Sequence, residues 1–201
     1  MVSIQETTAE AATVRRATGE DVAPMARTLA RAFHDDPVFT WVMRGDERRM
    51  TRLERGFELF MHRVWMEQEE TYTTASVAGA AVWEKPGQWK TGAAIARSTR
   101  GRWRPNAREL HYYLPFVGVD PEWQGRGLGS AVLSPVLELC DRDGVPAFLE
   151  ASTPRNRALY ERHGFAVSEE FKLGRTAPVQ WRMWREPGGR TPPPGGAAER
   201  A

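Results

Sequence analysis

The 201-residue sequence lacks several features that would place it in a specialised class of protein. It contains a single cysteine, so it cannot form an internal disulfide. No apolar run approaches the roughly 20 residues that a membrane-spanning helix needs. Residues 1–12 lack the basic and apolar regions of a secretory signal. We therefore expect a cytoplasmic protein without a membrane partner.

The sequence also has no excess of charge of one sign. Lys and Arg total 28, and Asp and Glu total 26. This balance does not favour nucleic acid as the main partner. No Cys/His cluster has the spacing of a metal site, so we expect no metal and no nucleic acid.

One folded domain is expected over residues 13–186, because the chain is long enough for a single hydrophobic core. Residues 1–12 are polar and without periodicity, and residues 187–201 are rich in proline and glycine. Both ends are therefore predicted to be disordered.

Apolar periodicity and turn signals predict an alternation of helices and strands within this domain. Pro37 is expected to end the first helix and leave the residues around it in a loop, and Pro135 to bend a later helix. Residues 87–110 fit no single pattern; a helix over 90–97 followed by a basic loop is one interpretation. The other predicted elements are a strand at 13–17, helices at 22–33 and 47–70, a hairpin at 71–85, a helix at 128–143, a strand at 146–152, a helix at 156–163 and strands at 165–171 and 179–185. This order favours an α/β class with a mixed α+β sheet over an all-parallel doubly wound sheet.

The segment from Tyr113 to Ser130 joins an apolar, strand-like run to a glycine-dense turn that opens a helix. Glycines at 125, 127 and 129 remove side chains from the turn, so backbone N–H groups can converge on one anion. The positive end of the helix dipole favours the same anion. We therefore predict a phosphate-binding site at this turn.

Two common phosphate motifs are excluded by spacing. The P-loop motif G-x-x-x-x-G-K-S/T needs a lysine after the glycines, and none follows. The Rossmann fingerprint G-x-G-x-x-G needs glycine at position 130, where Ser130 stands. The pattern that remains is Q-x-x-G-x-G, formed by Gln124, Gly127 and Gly129.

This pattern, with V-G-V-D-P before it and P-R-N-x-x-L-Y-x-x-x-G-F after it, resembles that of the GNAT family of acetyl-CoA-dependent N-acetyltransferases. The motifs T-V-R-R-A-T-x-x-D-V, G-V-P-A-F-L-E and P-R-N-x-x-x-Y-E-R-x-G-F are similar to those of puromycin N-acetyltransferases and their actinobacterial relatives. The resemblance implies a mostly antiparallel sheet that is splayed at the cofactor site, with helices on both faces. It is dense over residues 113–165 and loose over 40–110, so it implies the cofactor more strongly than the acceptor.

The resemblance implies acetyl-CoA as the cosubstrate. Backbone N–H groups of the turn would hold its pyrophosphate, with side-chain donors from Gln124 and Arg126, and the strand before the turn would bond the pantetheine arm. The implied binding residues are Val117, Gly118, Val119, Gln124, Gly125, Arg126, Gly127, Leu128, Gly129, Ser130 and Asn156.

Tyr160 is the expected general acid, which gives its proton to the coenzyme A thiolate. It lies one helical turn after Asn156, so both side chains can reach one ligand; Tyr160 could instead be a core residue with a bonded hydroxyl. Glu150 is the first candidate for the base, because a carboxylate on an apolar strand should have a raised pKa. Its alternative is a structural ion pair with an arginine such as Arg155. Lesser candidates for the base are His34, Asp35, Asp36 and His111.

We therefore expect acetyl transfer from acetyl-CoA directly to a primary amine of a small molecule. Detoxification of an amine-bearing antibiotic, which would give antibiotic resistance, is the leading role. Acetylation of a protein amine and a non-catalytic, acetyl-CoA-binding regulatory domain are the alternatives. The expected state is a monomer or a homodimer.

Overall fold

Seven strands form one sheet in the computed structural model, which describes residues 13–43, 45–91 and 110–189. In chain order they are β1 (Val14–Arg16), β2 (Thr71–Thr74), β3 (Gly79–Glu84), β4 (Tyr112–Val119), β5 (Ala147–Ala151), β6 (Ala166–Phe171) and β7 (Gln180–Arg185). Their order across the sheet is β1-β2-β3-β4-β5-β7-β6. Only β4 and β5 are parallel among these neighbours. The predicted mixed, mostly antiparallel sheet is confirmed.

Helices cover both faces of this sheet. The α-helices of the described residues are α1 (Val22–Phe33), α2 (Pro37–Val42), α3 (Arg49–Phe60), α4 (Leu128–Asp143) and α5 (Pro154–Arg162). Side chains of β3 alternate between the two faces: Ala80 and Val82 pack with α1 and α3, whereas Ala81 and Trp83 pack with α4. Two apolar cores therefore hold the sheet between two helical layers.

An ion pair fixes the start of α1 against β1. Arg15 donates to both carboxylate oxygens of Asp21, each at 2.7 Å, and the backbone N–H of Thr18 donates to Asp21 Oδ2 at 2.7 Å. The hydrogen bond from Arg15 is the main reason that the pKa of Asp21 falls to about 2. The carboxylate form thus links the first strand to the first helix.

The predicted helix over 47–70 differs from the structure after Phe60. The chain continues as a π-helical turn over Met61–Trp65 and a 3-10 turn over Met66–Gln68, and Glu69 ends it with a φ of 60°. The wider turn carries the Trp65 indole into the core, where its Nε1 donates to Thr91 Oγ1 at 2.8 Å. The π-helical turn thus coincides with a buried large ring whose N–H has a partner.

Pro37 starts a second, short helix soon after the first one ends. The first helix stops at Phe33 as predicted, but Pro37 is the first residue of α2, so Phe39 and Trp41 are helical and not in a loop. Asp36 caps α2: its Oδ1 accepts from the N–H groups of Val38 at 2.9 Å and Phe39 at 3.1 Å. Proline at a helix start removes no intrahelical hydrogen bond, which explains the new helix.

Helix α4 has the predicted bounds. It runs from Leu128 to Asp143 with Pro135 inside it, and Gly144 ends it with a φ of 67°. Residues 187–189, the first of the predicted tail, form a turn against α4 in which the Gly188 N–H donates to Asp141 Oδ1 at 2.6 Å. Residues 1–12, 190–201 and most of the basic segment 90–110 lie outside the described residues. Within the described ranges, every helix is too short or too polar to span a bilayer.

Asp21→Asn should lower the free energy of unfolding by about 1–2 kcal/mol at pH 7. The native pKa of Asp21 lies below its unfolded value, so the stabilisation is complete above that unfolded value, near pH 4, and is lost as the pH falls toward 2. Urea unfolding of both proteins at pH 7, 5 and 3 measures this difference. Asp46→Asn, which removes an exposed pair with Arg52, should have a much smaller effect. An equal loss in both variants, or no dependence on pH, would contradict the assignment.

Candidate active site

Strands β4 and β5 separate at their carboxyl ends. They pair only from Tyr112 opposite Ala147 to Leu114 opposite Leu149, although β4 runs on to Val119. The Tyr112 N–H donates to the Pro146 carbonyl at 2.9 Å, and no register pair between the two strands follows Leu114. On its other side β4 carries an extra residue against β3, because the register shifts between Val82 and Glu84. The splay that the resemblance implied is therefore present.

A cavity of about 450 Å³ lies at this splay. Its walls come from the end of α1, the last residues of β4, the glycine turn, the start of α4, and α5. The predicted residues that line it are Val117, Gly118, Val119, Gln124, Gly125, Gly127, Leu128, Gly129, Ser130, Asn156 and Tyr160, together with Asp35 and Asp36 of the lesser candidates. The structure thus brings together most of the predicted set, and Arg126 and Glu150 are not among the lining residues.

The glycine turn has the geometry of an anion cradle. Gly125 and Gly127 have φ values of 79° and 82°, a region in which side-chain-bearing residues are strained. The N–H groups of Leu128, Gly129 and Ser130 belong to the first turn of α4, where helix geometry leaves them without intrahelical partners. The positive end of the helix dipole adds to these donors. The arrangement suits a phosphate or pyrophosphate.

Gly118 allows α1 to approach the cavity wall. A Cβ built on Gly118 would lie 2.9 Å from both Ala32 Cβ and Leu29 Cδ2. Leu29 is fully buried, so it has little room to move. Packing of α1 directly on the β4 backbone therefore requires glycine at this position.

Arginine side chains give the cradle end of the cavity its positive charge, but they are not Arg126, the arginine that was predicted there. The Arg126 guanidinium lies 5.0 Å above the Trp123 ring and donates to the Glu122 carbonyl at 3.3 Å. Arg155 and Arg162 line the cavity instead. Arg155 donates to Gln124 Oε1 at 3.0 Å, and Gln124 Nε2 donates to the Val119 carbonyl at 3.1 Å. Only its position in P-R-N, directly before Asn156, could have identified Arg155 from the sequence.

Helix α5 presents Asn156 and Tyr160 to the cavity from one face. Thr153 caps this helix, because its Oγ1 accepts from the Asn156 N–H at 3.1 Å, and Pro154 occupies the first helical position. Tyr160 is only 5% exposed. Burial, and then the nearby charge of Asp36, raise the pKa of the Tyr160 hydroxyl well above its usual range. The hydroxyl is therefore protonated at neutral pH and can donate a proton.

Glu150 lies where β4 and β5 begin to part. It follows Leu149, the last residue of β5 that pairs with β4. Its Oε2 accepts from the Tyr113 hydroxyl at 3.2 Å, and its Oε1 lies 3.7 Å from Arg182 Nε. Arg182 also pairs with Glu169. The arginine partner is thus Arg182 on the neighbouring strand and not Arg155.

The lesser candidates for the base occupy different environments. The Asp35 side chain is 96% exposed and pairs with His34 at 2.7 Å. His111 is fully buried, and its ring stacks on Trp89 at 4.3 Å. Asp36 is buried in the cavity wall, where its Oδ2 accepts a short hydrogen bond from Ser152. The described residues contain no group of three or more His, Cys, Asp or Glu side chains that could hold a metal ion.

Comparison with known proteins agrees with this geometry. Residues 50–165 match the acetyltransferase (GNAT) family, so the chain belongs to that family. It is an acyl-CoA-dependent N-acetyltransferase. The uncharacterized N-acetyltransferase C550.08 of Schizosaccharomyces pombe is 27% identical over 194 residues, which cover 80% of this chain and 77% of the relative.

Solved structures share the fold at lower identity. A Corynebacterium glutamicum structure, described as histone acetyltransferase HPA2 and related acetyltransferase, has a TM-score of 0.72 and 23% identity, covering 90% of this chain and 98% of its own. Chaetomium thermophilum Naa20, in complex with a bisubstrate analogue, has a TM-score of 0.53 and 16% identity, with coverage of 87% and 86%. The sheet and its helical layers are thus those of GNAT acetyltransferases, which confirms the predicted fold.

Gly118→Ala should destabilise the protein by about 1–3 kcal/mol and raise KM for acetyl-CoA, because the new methyl group pushes α1 away from the cavity wall. Gly56→Ala is the matched control. A Cβ at Gly56 on α3 meets nothing within 4 Å, so this change should stabilise the helix by about 0.5–1 kcal/mol and leave KM unchanged. Chemical unfolding and initial rates measure both effects. Wild-type stability in Gly118→Ala would refute the required close approach.

Proposed function

We propose that this N-acetyltransferase moves an acetyl group from acetyl-CoA directly to a primary amine of a small molecule. The observation that carries the proposal is one cavity with an anion cradle at one end and a buried, protonated Tyr160 in its wall. No covalent enzyme intermediate is needed, because both substrates can meet in the splay. The buried thiol of Cys140, whose pKa is raised to about 12 by burial, is unsuited to act as a nucleophile.

The residues of the cavity fit acetyl-CoA, which would supply the acetyl thioester. The N–H groups of Leu128, Gly129 and Ser130 would hold the pyrophosphate, supported by Arg155. The backbone of 117–119, which has no strand partner on the side of β5, would bond the pantetheine amides and the thioester oxygen. Asn156 would orient the same arm from α5.

Glu150 and Tyr160 can carry out all the proton transfers that the reaction needs. Glu150 takes one proton from the ammonium form of the acceptor, and its pair with Arg182 stabilises the carboxylate that does so. The free amine then forms the C–N bond as the C–S bond breaks. Tyr160 gives its proton to the leaving thiolate and recovers one from the nitrogen, which loses its second proton on becoming an amide. The net products are the amide, the thiol and one proton.

Aromatic side chains near the cavity favour an acceptor with apolar bulk, such as a puromycin-like antibiotic. Phe33 lines the cavity and packs on Phe39, with ring centroids 5.1 Å apart. Trp41 on α2 is 41% exposed, and its Nε1 donates to Thr176 in the loop before β7 at 3.1 Å. Trp41 thus joins α2 to that loop, and Phe33 lies at the end of α1 in the cavity wall. Action in the cytoplasm, where thiols such as Cys140 stay reduced, belongs to the same proposal.

The proposal is tested by release of coenzyme A from acetyl-CoA against puromycin, aminoglycosides and a peptide with a free N-terminus. Release with a small amine supports the proposal. Release with the peptide alone would instead support acetylation of a protein amine. No release with any amine, despite binding of acetyl-CoA, would favour a binding domain without catalysis.

Tyr160→Phe should lower kcat by about 10²- to 10⁴-fold, because the variant cannot protonate the leaving thiolate. The Kd for acetyl-CoA should stay close to the wild-type value, since the ring still fills its place in the core. Calorimetric binding and single-turnover rates separate the two quantities. A variant with normal turnover would remove Tyr160 from the mechanism.

Glu150→Gln should lower kcat/KM at pH 7 and recover part of the loss as the pH approaches the pKa of the amine. At that pH the amine is already neutral and needs no base. A rate profile from pH 6 to 10 measures this recovery. Glu169→Gln, which removes the exposed partner of Arg182, should change the profile little. A loss in Glu150→Gln that is constant over this pH range would indicate a structural role.

A further inference from the structure

The carboxylate of Asp36 is buried in the cavity wall, where its hydrogen-bond donors are neutral groups. Asp36 is 7% exposed, and its three hydrogen bonds come from the N–H groups of Val38 and Phe39 and from the Ser152 hydroxyl. Within the described ranges, no Lys, Arg or His forms an ion pair with it. Charged side chains are rarely buried in proteins without a counter-ion, because removal from water is costly. The cavity therefore offers a place for a cation.

The coenzyme does not explain this carboxylate. The cavity has positive charge at its cradle end, from the first turn of α4 and from Arg155 and Arg162, which suits phosphates. Asp36 lies near Tyr160, the residue proposed to meet the thioester, and its negative charge acts on the Tyr160 hydroxyl. The thioester and the pantetheine arm carry no charge, so neither can neutralise a carboxylate there. The other reactant is an amine, which is an ammonium ion at neutral pH.

We propose that Asp36 binds the ammonium group of the acceptor and thereby selects cationic primary amines over neutral molecules of the same shape. Ser152 and the first turn of α2 hold the carboxylate in place for this contact. Glu150 lies on β5 and precedes Ser152, the hydrogen-bond partner of Asp36, by two residues. The inference rests on the proposed function, since it assigns a substrate class to the same cavity.

A purely structural role for Asp36 as the cap of α2 makes a different prediction. Asparagine caps helices about as well as aspartate and occupies nearly the same volume. Asp36→Asn therefore keeps the cap and removes only the charge. If capping were the whole role, this variant would bind ligands like the wild type.

The test is equilibrium binding of a matched pair of probes, 2-phenylethylamine and 2-phenylethanol, to protein saturated with coenzyme A at pH 7. The phenyl group suits the aromatic side chains near the cavity, and the two probes differ in charge. We expect the wild type to bind the amine about tenfold or more tightly than the alcohol, as an ion pair in a partly buried site allows. Asp36→Asn should abolish this preference and leave the Kd for coenzyme A unchanged.

Three further variants make the result specific. Asp36→Glu keeps the charge and should keep a preference for the amine, which guards against a folding defect in the asparagine variant. Asp35→Asn removes the same charge from the exposed neighbour and should keep the wild-type preference. Ser152→Ala keeps the charge but frees the carboxylate, so the preference should fall to an intermediate value. Thermal unfolding of each variant shows whether the fold is intact.

The inference is overturned if the wild type shows no preference for the amine, or if Asp36→Asn keeps it. Its failure is distinguishable from failure of the proposed function, because the binding assay needs no turnover. A preference that depends on Asp36, in a protein that releases no coenzyme A with any amine, would refute catalysis alone. Turnover of amines with unchanged binding in Asp36→Asn would refute only the role of Asp36.

Discussion

The early end of the pairing between β4 and β5 is the constraint on which the site depends. Parallel strands stay together through evenly spaced hydrogen bonds, and these two strands have no register pair after Leu114 and Leu149, although β4 runs on to Val119. Near the same point β4 carries an extra residue against β3. Backbone groups that a regular sheet would have used for pairing are thus left for a ligand, and the glycine turn and α5 close around them. The cavity lies where the pairing ends.

The splay is tolerated because both faces of the sheet are packed beside it. On one face α1 and α3 bury a cluster that includes Leu29, Phe57 and Trp65, and on the other α4 and α5 bury Val132 and Tyr160. Each face keeps its apolar contacts across the point where the strands part, so the unpaired backbone costs little of the total stability. Tyr160 belongs to the core and to the cavity at once. Because Tyr160 lies in both places, its hydroxyl is removed from bulk solvent and stays protonated.

Local patterns predicted the parts of the site that are contiguous in the chain. The glycine turn, the helix after it, and Asn156 with Tyr160 each depend on spacing within one segment. Contacts between distant segments could not be predicted: Asp36 and Ser152 are 116 positions apart, and Glu150 meets Arg182 only because β5 pairs with β7. The π-helical turn at Trp65 was not predicted either, since apolar periodicity describes a regular helix and not the hydrogen bond that the Trp65 indole makes to Thr91.

The parallel pairing of β4 with β5 has a mechanical consequence. Three register pairs join these two central strands, as many as join β1 to β2 and β2 to β3, whereas their other neighbours hold them by five each: β5 to β7 and β3 to β4. The sheet thus has two halves, β1–β4 and β5–β7, which are joined by this short pairing, and the cavity lies where the pairing ends. A ligand that contacts β4 on one side and α5 on the other links the two halves. The free energy needed to separate the two halves should therefore rise with the concentration of the ligand that binds in the cavity.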